Sequence, residues 1–325
     1  MKTQNRSEYY QRVDEVELIL NKLQSVLQPV ELEEINSHKD IKYPIYLIMG
    51  CARSGTTALM QYLTRTLDCF YPTNLLSRFY YAPYLGSLYQ KLFFDLDFKG
   101  ELFNIDHSED QFKSLLGKTT GADSPNEFWY FWRRFFRFND IQKLSASDLL
   151  SLNTTELLNE FSAMQSVYKK PFLFKGMNLN WHIDYMSELH ETFRFVHIHR
   201  NVVLNAYSLY CARYKFYNNY NTWYSFKPPE YNKLKHMSPI EQVVGQVIYT
   251  NKVISDQLKN IDINRKVIIS YESFCESPYS ILENFDMEKS ELGLEMKINK
   301  ASDYSIVPPY LLSQILRAVE LFKNL

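Results

Sequence analysis

The fold of this 325-residue chain is indicated by the stretch Tyr46-Leu-Ile-Met-Gly-Cys-Ala-Arg-Ser-Gly-Thr-Thr57. The apolar run 45–49 predicts a buried strand that ends at Gly50, and the segment 56–67 is predicted to be a helix. Glycine lets the backbone approach a ligand closely, and the first N–H groups of a helix have no partner within it. The stretch is therefore expected to cradle an anion.

The spacing of Gly50 and Gly55 is that of a phosphate-binding P-loop. The lysine that follows the second glycine in ATP and GTP sites is replaced by Thr56, and the basic group comes earlier, at Arg53. The loop is thus expected to hold phosphate without being a standard nucleoside triphosphate site. A nucleotide kinase or NTPase with a degenerate P-loop is an alternative, although no clear apolar strand ends in a magnesium-binding aspartate.

The composition of the chain argues against several classes of protein. A net charge of −1 is atypical of a dedicated nucleic-acid binder. No stretch approaches the roughly 18 uncharged apolar residues of a membrane span, and the polar N-terminus lacks a signal-peptide core. The four cysteines have no metal-like spacing, which favours free thiols in a reducing compartment. We therefore predict a cytoplasmic protein with no nucleic-acid partner, no membrane span and no metal.

Strand and helix patterns alternate along the rest of the chain. A helix over 7–27 and a charged connector over 28–42 precede the first strand. Further strands are predicted at 171–175, 193–200 and 266–271, and further helices at 126–138, 140–168, 181–189, 201–214 and 239–261. This alternation predicts an α/β fold with a central, mainly parallel sheet and helices on both faces. Ligands in such folds bind at the carboxyl ends of the strands, where Gly50, Lys175, Arg200 and Tyr271 are expected.

Two phosphate-binding patterns occur in order along the chain, Ala52-Arg53-Ser54-Gly55-Thr56-Thr57 and Arg200-x7-Ser208. The first resembles the 5′-phosphosulfate loop, roughly P-[KR]-S-G-T-T, of sulfotransferases that use 3′-phosphoadenosine 5′-phosphosulfate (PAPS). The second resembles their R-[DN]-P-x5-S element, with Val202 in place of the proline, and Tyr271-Glu272 resembles their later Y-E segment. The resemblance covers about residues 45–278 and implies a P-loop-NTPase-like sulfotransferase fold.

The resemblance also implies a cofactor, PAPS, which leaves as 3′,5′-ADP, and no metal. The residues expected to bind it are Arg53, Ser54, Gly55, Thr56, Thr57, Arg200, Ser208 and Tyr271. Arg53 would neutralise the leaving phosphate, Lys175 would reach the sulfuryl group, and Arg200 with Ser208 would hold the 3′-phosphate. Arg53 and Lys175 are thereby candidate catalytic residues.

The chain departs from many small-molecule sulfotransferases at three places. Ala58 stands where a tryptophan stacks on adenine, Lys175-Gly176-Met177 lacks the histidine of the K-x-H pattern, and the basic, glycine-rich C-terminal loop is missing. The chain thus looks closer to the bacterial and carbohydrate-modifying branch. We expect a single domain over 1–325, with an N-terminal helix and connector (1–42), a cofactor-binding core (43–280, acceptor-side insertion about 70–140) and a helical C-terminal segment (281–325).

The general base is left open between Glu127, which precedes the aromatic run, and His107 in Asn104-Ile-Asp-His-Ser108. A carboxylate in a ring-lined cleft can accept the proton of an acceptor hydroxyl. A lone glutamate at the start of a helix is also explained by the helix dipole alone. His197 and His199, on the strand before Arg200, are expected to be core or supporting residues.

The acceptor side is expected to be built by residues 70–139 and the loop 215–236, which are rich in rings and polar groups. Rings that could stack on sugars are Tyr80, Tyr81, Trp129, Trp132 and Trp223, and arginines that could meet acidic groups are Arg133, Arg134 and Arg137. A hydroxyl on a saccharide or glycoconjugate is therefore favoured as acceptor over a lipid, small alcohol or phenol. A non-catalytic binding protein is a further alternative, which the retained Arg53, Lys175, Arg200 and Ser208 disfavour.

Overall fold

The centre of the protein is a four-stranded parallel sheet, seen in a computed structural model that describes residues 6–11, 13–97, 100, 114–138, 140–290, 298 and 303–323. The strands are β1 (Ile45–Met49), β2 (Ser114–Leu115), β3 (Lys118–Thr119), β4 (Phe172–Lys175), β5 (Phe193–His199) and β6 (Lys266–Ser270). The main sheet has the order β4-β1-β5-β6, and β2 with β3 forms a separate antiparallel hairpin. The predicted α/β fold with a central parallel sheet is thus confirmed.

Twelve α-helices surround the sheet within the described part of the chain. They are α1 (Asp14–Ile35), α2 (Thr56–Thr66), α3 (Pro83–Gln90), α4 (Trp129–Phe135), α5 (Ala146–Leu150), α6 (Thr154–Tyr168), α7 (Ile183–Leu189), α8 (Val202–Tyr217), α9 (Tyr231–Leu234), α10 (Pro239–Leu258), α11 (Tyr271–Glu276) and α12 (Pro309–Leu321). None of the helices in the described ranges is both long and apolar enough to cross a membrane.

The register of the main sheet explains why the strand ends meet. β1 is buried at all five positions, because it pairs with a strand on either side and is covered on both faces. Ile48 lies opposite Lys175, Met49 opposite His197, and His199 opposite Ser270. The residues that follow β1, β5 and β6 therefore share one edge of the sheet with Lys175, the last residue of β4.

The N-terminal helix differs from its prediction in both bounds and packing. It begins at Asp14 and not at residue 7, because Ser7 N–H donates to the Phe216 carbonyl and Tyr10 packs its ring on Phe216 at 4.4 Å. It continues through the predicted connector to Ile35, because the buried carboxylate of Glu31 accepts N–H groups at the start of α3.

The apolar face predicted for α1 is largely exposed. Val16, Ile19 and Leu23 are 37%, 55% and 39% exposed, whereas Leu20 and Ile35 are buried. The helix therefore packs on the domain through only part of its apolar surface.

Candidate active site

The anion loop between β1 and α2 depends on its two glycines. A Cβ atom on Gly50 would lie 2.5 Å from the Ile198 carbonyl oxygen, and one on Gly55 would lie 2.2 Å from the Tyr271 ring. Gly55 also has a φ of +106°, which L-residues rarely adopt. The loop is therefore packed so closely that only glycine fits at these two positions.

Two asparagines hold this loop, and neither was singled out from the sequence. Asn180 donates to the Gly50 carbonyl at 3.0 Å and accepts the Gly50 N–H at 3.2 Å. Asn205, on α8, donates to the Ala52 carbonyl at 2.8 Å. Both side chains are buried. In the sequence, each is a polar residue a few positions after a predicted strand. That position does not indicate which group the side chain binds.

The two predicted phosphate elements come together in space. Arg53 Nε donates to Ser208 Oγ at 3.3 Å, and Arg200 Nη1 donates to the Arg53 carbonyl at 3.4 Å. The Arg200 guanidinium lies 4.8 Å from the centre of the Tyr271 ring. Burial lowers the pKa of Arg200, an effect that Tyr271 and Glu272 oppose, but arginine stays charged at neutral pH.

These positive charges can accommodate an anionic ligand. Within the described part of the chain, neither Arg53 nor Arg200 forms an ion pair, and both line the same cleft as Gly55, Thr57 and Tyr271. Unpaired guanidinium groups beside the N-terminus of α2 are suited to phosphate oxygens. The residues present thus fit a bisphosphorylated nucleotide.

Ser54, in the same loop, is buried in the structure. Its side chain is 0% exposed, and its N–H donates to the Cys51 carbonyl at 3.1 Å. A Cβ on Gly50 would lie 2.8 Å from Ser54 Oγ, so this hydroxyl packs beneath the loop and does not line the cleft. The assignment of Ser54 as a cofactor-binding residue stays a prediction.

A hydrogen-bonded cluster lies where β4 ends. Lys175 Nζ donates to Glu127 Oε1 at 2.7 Å and to Thr57 Oγ1 at 2.6 Å, and Trp129 Nε1 donates to Glu127 Oε2. Lys175 is 3% exposed and Glu127 is 29% exposed, so the ammonium lies buried behind the carboxylate and it is Glu127 that faces the cleft. The sequence predicted Lys175, Glu127 and Thr57 as site residues, and the structure brings them into contact.

The β2–β3 hairpin lies against this cluster. A Cβ on Gly117 would lie 3.3 Å from Glu127 Oε1 and 3.4 Å from Thr57 Oγ1. Tyr224 Oη donates to the Leu116 carbonyl at 3.3 Å, which connects the hairpin turn to the loop after α8. The short strands of this hairpin have no distinct sequence pattern, so the sequence did not indicate it.

The cleft has a volume of about 1380 Å³, and the predicted acceptor side contributes only part of its lining. Trp129, Trp223 and Arg133 line it as expected. The other proposed acceptor residues, Tyr80, Tyr81, Trp132, Arg134 and Arg137, do not line it. Tyr80 and Trp132 belong to the hydrophobic core, and Tyr81 packs against it.

Arg134 has a structural role and does not form a wall that attracts substrate. Its guanidinium pairs with Glu160 and, at 3.4 Å, with Glu156, and it donates to the Tyr80 carbonyl at 2.8 Å. Burial raises the pKa of Glu160 to about 8, and the Arg134 charge opposes that rise.

The N-terminal helix adds a wall that the sequence did not predict. Val13, Val16 and Leu20 line the cleft, and Tyr130 Oη donates to Glu17 at 3.2 Å, which joins α1 to α4. The acceptor side is therefore more apolar than the segments 70–139 and 215–236 alone suggested.

Neither His107 nor His197 is found at the site in the part of the chain that the structure describes. His107 lies outside the described residues, so its assignment as an alternative base stays a prediction. His197 is buried, makes a 3.4 Å contact with Asn251, and has its pKa lowered to about 4 by burial. It is a core residue, as expected.

Comparison with known proteins agrees with this geometry. A family model described as "Sulfotransferase family" matches residues 44–284. The structure is similar to sulfotransferase STF1 from Mycobacterium tuberculosis H37Rv (13% identity, 92% of this chain and 82% of that chain covered, TM-score 0.52). A weaker likeness is to STF9 from Mycobacterium avium (11% identity, 93% and 72% covered, TM-score 0.48). At these identities the likeness shows the fold alone. No curated protein matches the sequence.

Proposed function

The chain belongs to the sulfotransferase family, and on that premise we propose that it transfers a sulfuryl group from PAPS to an acceptor hydroxyl. The observation that carries this proposal is the meeting of two unpaired arginines, Arg53 and Arg200, with the Lys175–Glu127 cluster in one cleft. A nucleotide kinase is disfavoured because Thr56 stands where the P-loop lysine of such enzymes is found. A carboxylate that is open to the cleft can accept a proton, which supports an enzyme over a protein that only binds a ligand.

The proposed reaction exchanges one S–O bond for another. The bond between sulfur and the 5′-phosphate oxygen breaks, a bond between sulfur and the acceptor oxygen forms, and 3′,5′-ADP leaves with the negative charge. PAPS supplies the activated sulfuryl group. The acceptor's proton passes to Glu127. The protein contributes positioning and charge stabilisation, which dominate in the analogous phosphoryl transfer.

The arginines have separate roles in this scheme. Arg53, in the loop itself, stabilises the 5′-phosphate as it gains negative charge. Arg200, supported by Tyr271, together with Ser208, holds the 3′-phosphate. Thr56, Thr57 and the first N–H groups of α2 complete the phosphosulfate site.

Lys175 and Glu127 act as a pair. Before transfer, Lys175 donates a hydrogen bond to Glu127 and orients its side chain. When Glu127 takes the acceptor's proton, its attraction for the ammonium falls, and Lys175 becomes available to the departing bridging oxygen. Lysine carries three N–H donors, two of which are used by Glu127 and Thr57, so one remains for this purpose.

The donor assignment is tested by ligand-dependent melting. 3′,5′-ADP should raise the melting temperature far more than AMP, because AMP lacks the 3′-phosphate that Arg200 binds. At a concentration 100 times Kd, binding contributes about 2.7 kcal/mol to the free energy of unfolding. Arg200→Ala should remove most of the difference between the two nucleotides. Arg194→Ala, at the opposite end of β5, is the matched control and should keep it. Equal shifts with both nucleotides in the wild-type protein would contradict the assignment.

For the acceptor we propose a hydroxyl on a saccharide or glycoconjugate. The aromatic side chains of Trp129, Trp223 and Tyr224 and the basic side chains of Arg133 and Lys227 line the cleft, which suits sugar faces and acidic groups. The apolar wall of α1 supports a second candidate, a lipid or small alcohol. A screen of both classes with labelled PAPS separates them. If a simple phenol or fatty alcohol exceeds every saccharide, the second candidate is correct.

A further inference from the structure

We propose that Trp129 is the positioning residue that fixes Glu127 for proton transfer, and that the acceptor-side loop holds Trp129 through Phe226. This inference rests on the proposed function, because it assigns Glu127 the role of base.

Both oxygens of Glu127 are occupied by donors of different kinds. Lys175 Nζ donates to Oε1 at 2.7 Å, and Trp129 Nε1 donates to Oε2. The indole is a donor only and carries no charge. It therefore fixes the direction of the carboxylate without adding a second positive charge to the one supplied by Lys175. Each oxygen keeps a lone pair for the acceptor's proton.

The backbone between Glu127 and Trp129 is in an unfavourable conformation that permits their contact. Phe128 has φ 52° and ψ 36°, in the left-handed region that bulky residues seldom adopt. Burial of its ring, which stacks on Phe131 at 4.7 Å, and its N–H bond to Asn126 Oδ1 at 2.8 Å offset the strain. Strain of this kind is concentrated at functional sites. Here the strained backbone of Phe128 lies between Glu127 and Trp129, whose side chains are hydrogen-bonded to each other.

The indole of Trp129 is itself held by the acceptor-side loop. It stacks on Phe226 with a ring separation of 5.0 Å and an interplanar angle of 8°. Phe226 is 2% exposed, and its carbonyl accepts N–H groups from Trp223 Nε1 and Gln246 Nε2, both at 2.9 Å. Gln246 lies on α10. A continuous set of contacts thus runs from α10 through Phe226 and Trp129 to the base.

The test replaces the indole N–H while keeping an aromatic ring. Trp129→Phe should lower kcat about 10- to 100-fold, part of the contribution expected of a general base. The KM for PAPS and the melting shift with 3′,5′-ADP should not change, because the donor site is untouched. Turnover is followed as release of 3′,5′-ADP from PAPS.

Trp181→Phe is the matched control. Trp181 packs on the same Phe226 ring at 6.2 Å but does not bond Glu127, so its kcat should stay within about three-fold of wild type.

Two further variants separate positioning from packing. Trp129→His, which retains a ring N–H, should keep more of kcat than Trp129→Phe. In the Glu127→Gln background, Trp129→Phe should cause no further loss, because the base on which it acts has been removed. Three results would overturn the inference. They are losses of kcat that multiply in the double variant, equal losses for Trp129→Phe and Trp181→Phe, and a wild-type kcat in Trp129→Phe. A wild-type protein that neither binds 3′,5′-ADP nor turns over PAPS would instead overturn the proposed function, and the inference with it.

Discussion

Arg53 and Arg200 touch each other but have different surroundings, and this determines what each can do. Arg53 has φ 69°, belongs to the turn between β1 and α2, and is held at Nε by Ser208. Arg200 follows β5 and is half-buried against Tyr271. In the proposed reaction, the charge in the turn acts on the bond that breaks, whereas the charge beside the Tyr271 ring holds a phosphate that does not react.

The separate roles of these arginines predict different kinetics. Arg53→Ala should lower kcat about 100-fold, because charge on the bridging oxygen is greatest in the transition state. Arg200→Ala should instead raise the KM for PAPS about 10-fold or more, with kcat little changed, since it removes ground-state binding. Steady-state kinetics with PAPS varied distinguish the two. A raised KM with unchanged kcat in Arg53→Ala would remove that residue from the chemistry.

The sequence predicted the site residues that follow strands and missed those defined by tertiary contacts. Lys175 and Arg200 could be placed because parallel strands end at one edge of the sheet. Trp129 and Asn180 could not, since their roles depend on a strained turn and on a segment more than a hundred residues from Gly50. The burial of Ser54 could not be predicted either, because a motif names a residue without showing which way its side chain points.

Among the elements, strands were predicted better than the N-terminal helix. β4, β5 and β6 agree with their predicted bounds to within one residue at each end, because each contains an apolar run bounded by polar or turn residues. For α1, apolar residues recur at helical spacing around more than one face. Spacing alone therefore could not show which face is buried, nor that Glu31 would extend the helix.

The packing of α1 can be tested with two leucines three residues apart. Leu20 is 7% exposed and Leu23 is 39% exposed, and both lie within the helix. Leu20→Ala should lower the free energy of unfolding by about 2 to 3 kcal/mol through lost burial and a partly filled cavity. Leu23→Ala should lower it by less than about 1 kcal/mol. Helix propensity changes equally in both variants, so it cancels in the comparison. Urea unfolding measures both, and equal losses would show that Leu23 is as well covered in solution as Leu20.

At the scale of the whole molecule, one buried charge cluster connects four helices. Glu31 on α1 accepts the N–H groups of Tyr84 and Leu85 on α3 at 2.6 and 3.0 Å. Arg134 on α4 pairs with Glu160 on α6, and its charge acts to lower the pKa of Glu31 and of Glu160. Burial is the larger effect, and it raises the pKa of Glu31 to about 7.

The pKa values of two buried histidines are lowered, so their effect on the pH dependence of stability is opposite to that of Glu31. Burial lowers the pKa of both His182 and His197 from 6.5 to about 4. The stability they contribute is complete above pH 6.5 and is lost as the pH falls towards 4. The stability contributed by protonated Glu31 is complete below its ordinary pKa of 4.5 and is lost as the pH rises through 7. The two trends partly cancel in the wild-type protein.

Glu160, whose pKa burial raises to about 8, opposes the histidine trend in the same way as Glu31. Removing the Glu31 titration should therefore shift the balance towards the histidine trend without leaving it alone. Between pH 4.5 and 7, the free energy of unfolding of Glu31→Gln, measured relative to wild type, should rise by on the order of 2 kcal/mol. Loss of one bond to the start of α3 lowers the stability of this variant at every pH, so the slope is the informative quantity. Glu33→Gln, at an exposed position of α1, is the control and should follow the wild-type slope. Urea unfolding at several pH values measures it. Parallel curves for Glu31→Gln and wild type would show that the pKa of Glu31 is the same in the folded and unfolded protein, and that its bonds to α3 balance the effect of burial.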